Sequence, residues 1–181
     1  VNLLAIAARL RWGIPIDQFT NILTPNEQSI LVGTLGRIQH LLLDPNETKI
    51  YHSSFSEFLL EKTALRERDV QLRLADYCEK QVKEKYCLLN LIYHGLKAEE
   101  SNKARVVALC TQAWVDNCVY QGVEPDTLLE DLKGVLKAAT ELGSLVETVL
   151  ILLLCQRIQF RYNTVFAQSA DLTANDSTGA G

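Results

Sequence analysis

Methionine is absent from all 181 residues, and the chain begins at Val1 with a helical pattern already under way. That start is expected to be internal, so the sequence reads as a piece of a longer protein. No C-x-x-C occurs, and the cysteines at 78, 87, 110, 118 and 155 make an odd count. Neither a disulfide framework nor a zinc site is signalled, and a reducing cytoplasm is the expected compartment. No G-x-x-x-x-G-K-[ST] is present. A phosphate-cradling loop and its magnesium ligands are therefore missing, and the chain alone is expected not to be an enzyme. The apolar start lacks a basic region and a small-residue cleavage site, so it is no signal peptide. The richest apolar run, Leu145 to Cys155, is interrupted by Glu147 and Thr148. It is too short to cross a bilayer and suits a buried helix. Excess positive charge is also lacking: the net charge is −4, which argues against nucleic-acid or acidic-membrane binding.

What is present is enough for a core. Hydrophobic residues make up 48% and charged residues 22% of the chain, which is the balance of an ordinary globular protein. The expected architecture is mainly α: a winged helix of three helices and a small β-hairpin over residues 1–62, then an α-helical bundle over 63–167. Residues 168–181 are small and polar and are expected to be a disordered tail or linker.

In the first part, Leu3–Trp12 reads as a helix closed by Gly13, and Ile16–Leu23 as a second with Pro15 near its first turn. Thr24-Pro-Asn-Glu27 has the spacing of a capping box and opens a third helix, with Ile30, Leu31, Leu35 and Ile38 on one face. Asp44-Pro-Asn-Glu47 lies between the apolar runs Leu41–Leu43 and Ile50–Tyr51, the pattern of a hairpin. Beyond about Arg66 only helices are legible: 69–85, 86–96, 101–110, 112–120, 125–142 and 144–166. Gly143 separates the last two, and Ser144-Leu-Val-Glu147 is a further capping-box spacing. No fixed repeat period emerges.

The richest stretch for function is Lys49-Ile-Tyr-His52-Ser-Ser54-Phe-Ser-Glu57-Phe-Leu-Leu60. It reads as a short strand ending on a histidine and turning directly into a helix, with Ser54 and Glu57 at capping-box spacing. The first N–H groups of a helix have no internal partner and sit at the positive end of the helix dipole. Such an end accepts a phosphate or carboxylate, and a histidine just upstream adds a donor able to become cationic near neutrality. His52, Ser53 and Ser54 are the candidate binding residues. The alternative is a histidine satisfied by its neighbours, with no ligand.

The stretch Tyr51-His-Ser-Ser-Phe-Ser-Glu-Phe-Leu59 resembles the end of the winged-helix domain in STAND-type signalling NTPases, the NACHT and NB-ARC group. Leu74-Ala-Asp-Tyr-Cys78 and Tyr86-Cys-Leu-Leu-Asn-Leu-Ile-Tyr-His94 resemble the helical segment that follows it in bacterial members. The resemblance covers residues 3–140. It implies that His52 touches the β-phosphate of ADP in a resting state, with ADP or ATP held mainly by a nucleotide-binding domain upstream of Val1. It implies that domain as a partner, a repeat sensor downstream, and a homo-oligomer on activation, in signalling such as immune or antiviral defence. No nucleic-acid or membrane partner is implied.

Two other classes stay open. A DNA-binding winged helix would use Asn26–Leu41 for recognition, but Arg37 and His40 are its only cations, and phosphate neutralisation needs several. A helical adaptor would use Trp12, Trp114 or Tyr120 as anchors if they are exposed. Two smaller motifs are assigned structural roles. Gly33-Thr-Leu-Gly36 matches a GxxG loop but lies in a helical stripe, where close helix packing explains it. His94 and Cys87 fall on one helix face two turns apart, with no third group to orient the histidine, so His94 is read as a packing residue.

Overall fold

A computed structural model describes the backbone of residues 2–98 and 102–176 and the side chains of 3–98 and 102–161. The protein is mainly α, and the described residues contain no strand. No helix among them is long and apolar enough to cross a membrane. The chain divides into two compact units, Val1–Asn102 and Lys103–Gly181.

The first unit begins with α1 (Asn2–Ala7), α2 (Ile16–Ile22) and α3 (Pro25–Ile38), followed by a 3-10 turn at Gln39–Leu41. The first helix is shorter than its apolar pattern suggests. Its end tightens through Arg9 N–H to the Ile6 carbonyl and Leu10 N–H to the Ala7 carbonyl. The Arg9 guanidinium then folds inward to the Ala5 carbonyl and Thr63. Thr24 forms the expected capping box with Glu27 at the start of α3.

The expected hairpin is not formed. Two isolated antiparallel bridges, Leu42 with Ile50 and Pro15 with Glu47, stand in its place. The turn at Asp44 closes as the sequence suggests, with Asn46 N–H on the Asp44 carboxylate at 2.7 Å. Leu43 and Tyr51 N–H groups reach Lys49 and Leu41 carbonyls, both at 2.8 Å. The ladder stops there for two reasons. Leu41 belongs to the 3-10 turn, and residues 46–48 bond instead to Ile14 and Ile16.

The unit continues with α4 (Ser53–Lys62), a 3-10 turn at Ala64–Arg66, α5 (Glu67–Lys80) and α6 (Lys85–Lys97). The expected domain boundary at 62/63 does not separate the units, because α5 and α6 are tied to the first helices. Arg73 of α5 grips Glu27 through both carboxylate oxygens, at 3.1 and 2.6 Å, and also the Ile22 carbonyl. Gln18 bonds Glu84, and the Tyr86 hydroxyl accepts the Arg11 N–H. Ile6, Ile14, Phe19, Leu74 and Ile92 form the fully buried centre. Each such side chain contributes about 1.5–3 kcal/mol on leaving water.

The second unit contains α7 (Lys103–Leu109), α8 (Gln112–Tyr120), α9 (Pro125–Glu141) and α10 (Leu145–Asp176). Helix α9 packs on the other three, burying Leu128, Leu132 and Val135. Gly143, at φ +69°, reverses the chain after α9. Its N–H bonds the Thr140 carbonyl and Ser144 N–H bonds Ala139, both at 3.0 Å. This is a Schellman closure, which favours glycine at the left-handed position. At the start of α10 the Ser144 hydroxyl donates to the Glu147 carboxylate, which holds that carboxyl below the usual range. The last helix runs through Asp176, so residues 168–176 continue it where a disordered tail or linker was expected. Residues 177–181 lie outside the described residues.

Candidate functional site

Helix α4 starts two residues earlier than its serine spacing suggests. His52, not Ser54, occupies the N-cap, and its side chain makes no cap bond. The Ser54–Glu57 capping box is therefore not formed. Chain geometry explains the shift. His52 has an extended backbone, φ −89° and ψ 118°, and its carbonyl accepts the Phe55 and Ser56 N–H groups at 3.1 Å. That places Ser53 and Ser54 in the first helical turn, where N–H groups have no helical acceptor. Among the described residues, neither serine N–H, neither hydroxyl nor the His52 imidazole has a hydrogen-bond partner.

Tyr51, His52, Ser53 and Ser54 are all exposed. The Tyr51 ring meets the imidazole edge to face, with centroids 4.7 Å apart. Phe55 and Phe58 stack on the same helix at 6.4 Å, and the Lys62 ammonium lies over Phe58. The arrangement therefore offers two backbone donors, two hydroxyls and an imidazole at a helix N-terminus, flanked by an exposed aromatic surface. Chemically this set suits an anion that arrives on another surface. A cavity of about 150 Å³ opens beside α4, lined by Arg11, Lys49 and Ser56 among others. The described residues hold no group of three or more His, Cys, Asp or Glu able to bind a metal.

The other histidine-centred motif looks different in three dimensions from its linear form. His94 is fully buried and its neighbour is Tyr86, not Cys87. His94 Nδ1 lies 2.7 Å from Gln71 Oε1, and Nε2 lies 2.7 Å from the Tyr86 hydroxyl. An amide oxygen only accepts, so Nδ1 carries the proton and Nε2 accepts from tyrosine. Gln71, on α5, is thus the orienting group that the sequence pattern lacked. Its signal is invisible in sequence, since 23 residues separate it from His94.

Burial lowers the His94 pKa to about 3, helped by Arg11 and Lys97. The same burial, reinforced by Cys78, pushes the Tyr86 hydroxyl well above its usual range. Both groups are neutral at pH 7, so the trio is a closed polar seam between α5 and α6 and offers no acid or base. Cys78 is likewise raised by its contact with Cys87 and by burial.

The remaining candidates separate cleanly. Gly33 and Gly36 lie on the exposed side of α3, where a Cβ would meet nothing within 4 Å. Close packing therefore does not account for them. Arg37 and His40 are exposed, but Ile30 and Val32 dominate the same outer surface. Trp114 is buried and Trp12 is half-buried against Tyr86 at 5.5 Å, while Tyr120 is fully presented to solvent. No protein-family model, curated protein or solved structure matches this chain.

Proposed function

We propose that this chain is the regulatory middle of a STAND-type signalling ATPase of the NACHT or NB-ARC kind, carrying the ADP contact of the resting state. The observation that carries the reading is the start of α4. His52 stands exposed at the N-cap, beside two serine N–H groups that the fold leaves unbonded. A phosphate oxygen there would gain charge-assisted bonds at the favourable end of the helix dipole.

In this reading residues 1–62 take the place of the winged helix, without a hairpin wing. Its exposed Tyr51 and Phe58 dock on an upstream nucleotide-binding domain. ADP binding closes that contact; exchange to ATP removes it and frees the segment for homo-oligomer formation, in cytoplasmic signalling such as defence. The switch moves only by the difference in nucleotide affinity between the two states. A repeat sensor downstream would supply the trigger, and this segment alone turns over nothing.

The test is His52→Ala in the protein that includes the nucleotide-binding domain. A lost hydrogen bond to a charged phosphate is worth about 1.5–3 kcal/mol, or about 10- to 150-fold in ADP affinity. Because His52 is exposed, circular dichroism should be unchanged while ADP dissociates faster and the oligomer forms without a trigger. An unaltered ADP off-rate would show that His52 has no part in nucleotide retention.

A further inference from the structure

Helix α4 is attached to its unit at few points. Leu59 alone among its ten residues is buried, whereas eight of the thirteen residues of α6 are. Phe58 is half exposed, and Leu65, just beyond the helix, is fully exposed. Among the described residues, no polar side chain within 53–62 bonds to another element. The polar attachment is concentrated at the C-terminal end. The buried Arg9 guanidinium donates to the Thr63 hydroxyl at 2.7 Å, to the Thr63 carbonyl at 2.9 Å and to the Ala5 carbonyl of α1 at 3.0 Å. The Thr63 hydroxyl in turn donates to the Leu59 carbonyl at 2.6 Å. One cation thus ties α1 to the last turn of α4, at the end of the helix dipole that favours positive charge. All three of its acceptors are neutral, and Arg9 Nε is buried with no partner. A buried cation that meets no carboxylate holds its site less firmly than a paired one.

We propose that α4 is a releasable element: Leu59 and the Arg9–Thr63 latch hold it down, and it opens as a unit while α5 and α6 stay folded. Regions with few buried apolar contacts open locally at a small fraction of the global cost. A ten-residue helix freed of its support does not persist in water. Release therefore also unmakes the first turn, which aligns the Ser53 and Ser54 N–H groups behind His52. The latch, at the opposite end of the helix, decides whether that donor array exists. Binding of a phosphate by the array is the reading given above. The opening of α4 is a property of this chain and is measured without nucleotide, so the two fail separately.

Native-state hydrogen exchange of the 181-residue chain, read residue by residue by NMR, tests the proposal. Amides 57–62 should exchange at least ~100-fold faster than amides 89–92 of α6. Thr63→Val keeps the side-chain shape and removes the hydroxyl of the latch. It should speed exchange at 57–62 about 10-fold, the low end for a bond to a charged group, because Arg9 keeps its other two acceptors. Ile92→Val trims the fully buried core of α6, which is lost only in global unfolding. It should speed exchange at 89–92 about 2- to 12-fold and leave 57–62 within about twofold. Amides 57–62 that exchange as slowly as 89–92 overturn the proposal. So does acceleration of both groups by the same factor in Ile92→Val, or exchange at 57–62 that is indifferent to Thr63→Val.

Discussion

Acid should unfold the first unit through one buried histidine. His94 is fully enclosed, bonded to Gln71 and Tyr86, and its pKa is lowered to about 3. The unfolded chain titrates near 6.5. Between those values the unfolded state binds the extra proton, so stability is full above about pH 6.5 and falls as pH drops through the window. From pH 7.5 to 5 the loss is about 1.36 kcal/mol per unit over 1.5 units, or about 2 kcal/mol. That figure barely depends on the folded value, provided it stays below about 4.

The comparison variant is His94→Gln, which cannot titrate. It should cost about 1–3 kcal/mol at pH 7.5 by leaving part of the seam unpaired. Its stability should then change about 2 kcal/mol less than wild type on acidification to pH 5. Glu141 and Glu147, held low by Lys103 and by the Ser144 hydroxyl, belong to the second unit and so do not enter the unfolding of the first. Urea unfolding read by Trp12 in a Trp114→Phe background reports this unit, since Trp12 packs on Tyr86. Parallel pH profiles for wild type and variant would refute the reasoning, because His94 would then accept a proton in place at no cost.

Arg73→Ala removes a two-pronged carboxylate contact and the bonds to the Ile22 carbonyl. Arg73 is 30% exposed, so the cost should be about 2 kcal/mol, below the range for fully buried pairs. Urea titration checks it, and a loss under about 0.5 kcal/mol would mean the contact is solvent-like. Maleimide labelling at pH 8 should modify Cys155 first. It is half-buried, whereas Cys110 and Cys118 are buried and pushed up to about 12, chiefly by burial. Early labelling of the latter pair, read by mass spectrometry, would contradict their enclosure. Duplex DNA should bind weakly and without sequence preference, because α3 offers few cations; nanomolar, sequence-dependent retardation at physiological salt would favour a regulator of transcription instead.

Local rules were legible in the chain. Thr24, Pro25 and Glu27 announced the start of α3, and α8 occupies Gln112–Tyr120 as read from its pattern. Gly143 marked the turn between the last two helices. Such features depend on residues within one turn of each other, so spacing alone specifies them. His52 was also visible as a histidine at a helix start, although the start itself moved by two residues. Backbone direction, rather than serine spacing, set that boundary.

Tertiary structure decided everything that joins distant positions. Glu27 looked like a cap and is a cap, but it is also the anchor for Arg73, 46 residues away. Leu41–Leu43 and Ile50–Tyr51 looked like paired strands, yet residues 46–48 bond to Ile14 and Ile16, and the ladder breaks after one rung. His94 looked like a packing residue beside a cysteine and is the centre of a seam closed by Gln71. The sequence states which groups are polar and which are apolar. Only the packed chain determines which polar group a buried one must meet, and how far burial shifts its charge.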